Sequence, residues 1–273
     1  MTALQPSAMR LPLAQQAKRQ WTIWRRGLGL LATVGHGFGM AITSGAMVEP
    51  NQPQHTALVQ EFCRRMCRSL GVTVELHGEM PREHALWVAN HISWIDIPVI
   101  GSLARVFFLG KAEIADYPIF GRLARAGGSV FVRRGSGDAN QVSDQVAGFL
   151  RQKLPILFFP EATTTDGRQV KRIHGKILRA ALETGTRIQP VVICYVTPDG
   201  QLDLVVPFID DVSLGEHIQQ VLVHPQVTVH VLPLAAIDPE GHNIHSLTDL
   251  LQAQMRQGLA TLQAKVLRVA PIL

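Results

Sequence analysis

Charge is scarce in these 273 residues: Asp, Glu, Lys and Arg together make up 17%, against roughly a quarter in an ordinary soluble domain. Cysteine is scarcer, with three residues, Cys63, Cys67 and Cys194. An odd, sparse count excludes a disulfide framework and fits a reducing compartment. Cys63 and Cys67 stand four apart, but no further ligand lies nearby in sequence, so they read as small buried residues. No H-x-x-x-H with a third ligand appears, and no metal site is expected. No G-x-S-x-G is present, which excludes a hydrolase built on a nucleophile elbow. After residue 48 no long apolar run remains, which argues against a polytopic membrane protein. Internal repeats and low-complexity tracts are also missing, and with them the solenoid folds.

What is there is an apolar fraction of 47% and a mean hydropathy of +0.14. That is enough to bury a full core and excludes a disordered or collagenous chain. The net charge is +5 and the isoelectric point near 9.4, a balance that suits nucleic acid, anionic membrane or phosphorylated ligands. Its distribution decides among them. Arg10, Lys18, Arg19, Arg25 and Arg26 gather at the N-terminus around Trp21 and Trp24. No helix-turn-helix or aromatic RNA-binding signature accompanies them, so nucleic acid is not an expected partner.

Gly27–Val48 follows without a formal charge. Basic residues and tryptophans beside an apolar stretch are the pattern of a membrane-interface anchor. The stretch is long enough to span, but glycines at 27, 29, 35, 37 and 39, with His36, make it a weak spanning helix. A bent, shallow element that enters one leaflet and returns, or lies in the interface, is expected. The alternative is a soluble helix hairpin packed on the domain. Pro50 and Pro53 then mark a linker, dividing a segment 1–55 from a domain 56–273.

Residues 56–70 carry Leu58, Phe62, Met66 and Leu70 at helical spacing. Beyond them strands are expected at Val72–Leu76, Ala85–Asn90, Val106–Leu109, Ser129–Val132, Ile156–Phe159, Ile188–Val196, Leu202–Val206 and Val227–Leu232. Helices are expected at Asp96–Leu103, Ile119–Ala126, Ala139–Gln152, His174–Glu183 and Ser246–Leu267. Such alternation makes an α/β fold, a sheet flanked by helices.

The strand over Ala85–Asn90 runs into Asn90-His91-Ile92-Ser93-Trp94-Ile95-Asp96. In α/β folds chemistry collects at carboxyl ends of strands. A His followed five positions later by an Asp can form a pair in which the carboxylate fixes the tautomer. The other ring nitrogen is then free to take a proton from a hydroxyl. Alone this spacing is weak, because a lone His is usually structural.

Three further stretches follow in order. They are Gly110-Lys111-x-Glu113-x4-Pro118-x2-Gly121 continuing to Gly128–Arg134, then Phe158-Phe159-Pro160-Glu161-Ala162-Thr163, then Pro190-Val191-Val192-Ile193. With the first block, this ordered set resembles the glycerolipid acyltransferase family of the 1-acylglycerol-3-phosphate acyltransferase type, over roughly residues 70–200. The resemblance implies that family's mixed sheet. It implies His91 as general base and Asp96 as its orienting partner. Lys111, Arg134, Glu161 and Thr163 become acceptor-binding residues, and Pro190 a structural one. The residues themselves leave a second reading open: a solvated charge at Lys111 and Arg134, and at Glu161 a carboxylate that holds its loop by binding backbone N–H groups.

It further implies an O-acyltransferase that moves a fatty acyl group from acyl-CoA or acyl-carrier protein to a lysolipid hydroxyl. No cofactor beyond that cosubstrate is implied. The first expected acceptor is 1-acyl-sn-glycerol-3-phosphate, giving phosphatidic acid. Two departures bear on it. The family's third block usually reads FPEGTRS; its Gly is Ala162 here, a small change if φ is negative. Its Arg, a phosphate ligand, is Thr164, although Arg168, Lys171 and Arg172 follow closely. The alternative acceptor is a lyso-ornithine lipid, and the non-enzymatic alternative is a lipid- or acyl-carrier-binding protein. The expected location is the cytoplasmic face of the inner membrane, with the membrane surface as partner.

Overall fold

The computed structural model describes residues 12–132 and 139–268. The chain runs α1 (Leu13–Thr43), α2 (His55–Leu70), β1 (Val72–Leu76), β2 (Leu86–Ala89), α3 (Asp96–Leu103), β3 (Phe107–Lys111), α4 (Phe120–Ala126), β4 (Val130–Val132), α5 (Ala139–Arg151), β5 (Ile156–Phe158), α6 (Leu178–Thr184), β6 (Ile188–Val196), α7 (Leu214–Val223), β7 (Val227–Pro233) and α8 (Ile244–Val266). Short 3-10 turns precede α4, at Ala112–Asp116, and α6, at Gly175–Ile177.

The sheet order is β1-β7-β6-β2-β5-β3-β4. All neighbours are parallel except β6 and β7, so the sheet is mixed. The central strands are apolar without alternation because both faces are covered. On one face Val88, Phe158, Val192 and Cys194 pack with α5, α6 and α8. On the other, Trp87, Leu157, Ile193 and Tyr195 pack with α2 and α3. All three cysteines are buried free thiols.

The expected strand Leu202–Val206 does not form. A single bridge joins Leu202 to Val196. The chain then turns because the buried Asp203 carboxylate accepts the Val205 and Val206 N–H groups at 2.8 and 3.1 Å. Helix α7 was not expected from the sequence. It starts on a capping box, Ser213 and Glu216 each bonding the other's backbone N–H.

The glycine-rich stretch expected to bend is instead part of one continuous helix, α1. Its row Gly29, Thr33, Gly37, Ala41 is the contact face. A Cβ on Gly37 would lie 2.7 Å from the Phe62 ring of α2. Thr33 and Ser69 hydroxyls are bonded at 2.8 Å. Small residues thus let two helices approach closely, at the cost of weak helix propensity. Arg26 is the polar anchor of the same helix. Its buried guanidinium donates to the carbonyls of Leu222, His224 and Pro225 at 3.2, 2.5 and 3.3 Å, where α7 ends in unsatisfied acceptors. Among the described residues no helix is long and apolar enough to cross a membrane.

Candidate active site

Asn90 takes over where β2 stops. Its side-chain oxygen accepts the Ile193 N–H at 2.8 Å and its amide donates to the Ile193 carbonyl at 3.1 Å. This buried two-way bond ties the exit of β2 to β6. The next residue, His91, emerges at the carboxyl edge of the parallel strands.

His91 Nδ1 lies 2.8 Å from Asp96 Oδ2. That oxygen also accepts the N–H groups of Ile92 and Ser93, at 2.7 and 2.9 Å. Asp96 opens α3, so its carboxylate sits where a helix N-terminus favours negative charge. Its other oxygen, Oδ1, takes the Tyr195 hydroxyl at 2.8 Å. An acceptor at Nδ1 selects the tautomer that carries its proton there and leaves Nε2 with a lone pair. The imidazole lies flat on Phe159, with ring centroids 4.0 Å apart. Its side chain keeps 20% exposure. Hydrogen bonding and stacking therefore fix the ring and with it Nε2, which has no partner among the described residues.

The loop after β5 grips the His91 backbone from both sides. Glu161 Oε2 accepts the His91 N–H at 2.7 Å, and Oε1 accepts the Lys171 N–H at 2.7 Å. The Thr165 N–H donates to the His91 carbonyl at 2.8 Å. Burial pushes Glu161 up to about 7, against the pull of the two N–H donors. A folded-state value above the ordinary 4.5 means stability present at low pH and lost as pH rises through about 7. Glu161→Gln should remove that slope. The wild-type minus variant difference in urea-unfolding free energy should therefore fall between pH 4.5 and 7. A difference that is flat or rises with pH would contradict this.

A third wall comes from α7. The Trp94 indole N–H donates to His217 Nδ1 at 2.9 Å, and His217 Nε2 lies 3.2 Å from the carbonyls of Val205 and Pro207. The Phe208 N–H bonds the Ile92 carbonyl at 2.9 Å.

The Acyltransferase family model matches residues 71–194, a stretch that holds His91, Asp96 and Glu161. A lyso-ornithine lipid O-acyltransferase of Pseudomonas aeruginosa is 38% identical over 241 residues, covering 86% of this chain and 92% of that protein. The chain belongs to the acyltransferase family. A 1-acyl-sn-glycerol-3-phosphate acyltransferase of Neisseria meningitidis serogroup B is 26% identical over 207 residues, 74% of this chain and 80% of that one. The crystal structure of the 1-acyl-sn-glycerophosphate (LPA) acyltransferase PlsC from Thermotoga maritima aligns with a TM-score of 0.67. It covers 92% of this chain and 99% of that chain, and at 16% identity it is a likeness of fold.

The acyltransferase places the other sequence-predicted residues unevenly. Lys111 ends β3, two strands from β2 in the sheet order, at the same carboxyl edge. Arg134 lies outside the described residues. Glu161 has one carboxylate oxygen on each of two backbone donors, an arrangement that holds the loop. Thr163 is exposed, and its hydroxyl is 3.4 Å from the Thr164 carbonyl. Thr164, standing where the family's Arg is expected, donates its hydroxyl to the Phe208 carbonyl. Arg168 pairs with Asp166 at 3.1 Å on the exposed side of the loop.

Ala162 overturns one expectation. Its φ is +60°, so the Gly-to-Ala departure is not the small change a negative φ would have made it. An L side chain in the left-handed region costs about 1–2 kcal/mol, and glycine's extra unfolded-state freedom offsets about 0.4–1 kcal/mol of what its return would gain. Ala162→Gly is therefore expected to stabilise the protein by about 0.5–1 kcal/mol, read by urea unfolding, with turnover unchanged. A destabilised Gly variant would contradict the left-handed backbone.

Proposed function

We propose that this acyltransferase transfers a fatty acyl group from a thioester, acyl-CoA or acyl-carrier protein, to the free hydroxyl of a lysolipid, with His91 as general base. The observation that carries the reading is the open Nε2 of His91, held by Asp96 on the other nitrogen. The acceptor hydroxyl gives its proton to Nε2 as its oxygen attacks the thioester carbonyl carbon. The resulting imidazolium faces the Asp96 carboxylate. The tetrahedral intermediate collapses, the carbon–sulfur bond breaks, and the leaving thiolate takes the proton from His91. The products are an ester and a free thiol, with no acyl-enzyme. Lys111 and Arg134 serve the anionic group of the acceptor by charge-assisted hydrogen bonds, and Thr163 serves the acceptor with them. Glu161 acts through the His91 backbone.

Lyso-ornithine lipid is the preferred acceptor. The similarity to the Pseudomonas aeruginosa protein supports it, as does Thr164 in place of a phosphate-binding Arg. The similarity to the Neisseria protein supports 1-acyl-sn-glycerol-3-phosphate as a second reading. An acceptor panel decides between them. We expect kcat/KM for lyso-ornithine lipid to exceed that for lysophosphatidate by about 10-fold or more, the scale of one charge-assisted bond. The reverse order would establish the second reading.

The same proposal places the protein on the cytoplasmic face of the inner membrane. Trp21, Trp24, Leu28, Leu31 and Ile42 are all at least 60% exposed; the first four recur on α1 at spacings of three and four, and Ile42 lies about three turns further on the same face, opposite the row that packs on α2. Lys18, Arg19 and Arg25 flank them. This pattern suits a helix lying in the interface of an anionic membrane. The free thiols and the cytosolic thioester agree with it. A Trp21→Ser/Trp24→Ser variant is expected to bind anionic vesicles about 10-fold or more weakly in cosedimentation, from the lost indole burial. Unchanged partitioning would remove α1 as the anchor.

A further inference from the structure

Asp96 and His91 come from one short loop, but the Asp96 oxygen that does not touch His91 is held from elsewhere. Oδ2 takes three donors, all from residues 91–93. Oδ1 takes one, the Tyr195 hydroxyl, from a residue 99 positions away near the end of β6. The carboxylate is fully buried and Tyr195 is 1% exposed. Tyr195 is the last large side chain on the face of β6 that also presents Val191 and Ile193, and Ile193 is the residue stapled by Asn90. Two neighbouring rungs of β6 therefore fix the exit of β2 and the carboxylate that orients its histidine.

We propose that Tyr195 is a positioning residue of the catalytic pair: its hydroxyl bond to Asp96 Oδ1 sets both the aim of the carboxylate and how strongly it draws the His91 proton. This rests on His91 being the base. The physical argument is one of shared negative charge. A carboxylate that receives a hydrogen bond on one oxygen has less charge to offer at the other, so it favours the imidazolium less. Tyr195 is suited to be that permanent donor. Burial, first, and then the charge of Asp96 push its hydroxyl far above the usual phenol range, so it stays protonated. The other titratable groups facing the cluster are Cys67 from α2, Asp203 from the loop after β6, and Glu161 with Lys171 from the loop after β5. Cys67 is a buried thiol pushed up to about 12 by desolvation. Asp203 is paired with His224 at 3.2 Å. Among the described residues only Tyr195 places a side-chain donor on Asp96 besides His91 itself.

Three proteins test this in vesicles: wild type, Tyr195→Phe, and a Tyr117→Phe chain carrying 3-fluorotyrosine. The sequence has two tyrosines, Tyr117 and Tyr195, so the fluorinated ring then sits only at 195. For each, the acid limb of kcat/KM against pH and the NMR titration of the His91 ring are measured. In Tyr195→Phe the carboxylate keeps its charge at Oδ2, and both the limb and the ring titration should move to higher pH. Plateau kcat should fall by less than about 10-fold with acceptor KM unchanged. The fluorinated phenol is a stronger donor of the same shape and should move both downward. It retains the hydroxyl, so it also serves if the Phe variant folds poorly. A ring titration identical in all three proteins would overturn the proposal. A ring titration that moves while the kinetic limb stays still would uphold Tyr195 and instead refute His91 as the base.

Discussion

His91→Ala is expected to lose about 10²–10⁴-fold in turnover, the range seen when a general base is removed, while remaining folded. The second half of that statement follows from where the hydrogen bonds go. Among the described residues His91 contributes one of four donors on Asp96. With the ring gone, the Ile92 and Ser93 N–H groups and the Tyr195 hydroxyl still occupy both carboxylate oxygens. The grips on the His91 backbone, from Glu161 and Thr165, do not involve the side chain. The cost to stability is then one charge-assisted bond and one ring stack, on the order of 2–3 kcal/mol. Acceptor binding should be retained, so the loss falls on kcat. Turnover near that of the wild type would end the base assignment, whatever the stability.

Asp96→Asn should be about as severe in rate, by about 10²–10⁴-fold, and milder in structure than its burial suggests. Asparagine is isosteric. With its oxygen at the Oδ2 position it still accepts from His91, Ile92 and Ser93. Its amide then points at Tyr195, whose hydroxyl can turn to accept. What disappears is the charge that stabilises the imidazolium. The His91 ring should therefore titrate at lower pH, opposite in direction to Tyr195→Phe. Measured kcat with the ring titration checks both parts. A variant with wild-type kcat, or one whose ring titration moved upward, would show that Asp96 is not the electrostatic partner.

Much of the site was legible because its partners are local or end on rigid strands. The spacing of His91 and Asp96 spans a strand end and the first residue of a helix, and strands β1 and β6 and helix α3 fall on the residues expected for them. Tyr195 was not legible. Nothing in an apolar strand says that one phenol reaches a carboxylate 99 residues earlier; sheet order decides that. Helix α7, with His217 holding Trp94, had a signal that was overlooked, the S-x-x-E box at Ser213 and Glu216. The turn at Asp203 defeated a strand reading because one buried carboxylate outweighed the β-propensity of Val205 and Val206. The glycines of α1 looked like helix breakers in sequence. In the fold Gly29 and Gly37 are contact points, because close approach to Ser69 and Phe62 offsets their poor propensity. The left-handed φ of Ala162 was likewise invisible, since alanine carries no hint of the backbone it has been given.

Direct transfer by a histidine base can be tested by following the acyl group itself. Wild-type protein in vesicles is given a thioester with a labelled acyl chain and lyso-ornithine lipid, and thiol release, lipid product and protein-bound label are measured over the first turnover. The expected result is one acyl-lipid ester formed per thiol released, no label on the protein at any time, and loss of both products in His91→Ala. Label accumulating on the protein before it reaches the lipid, or thiol released with no acylated lipid, would contradict it.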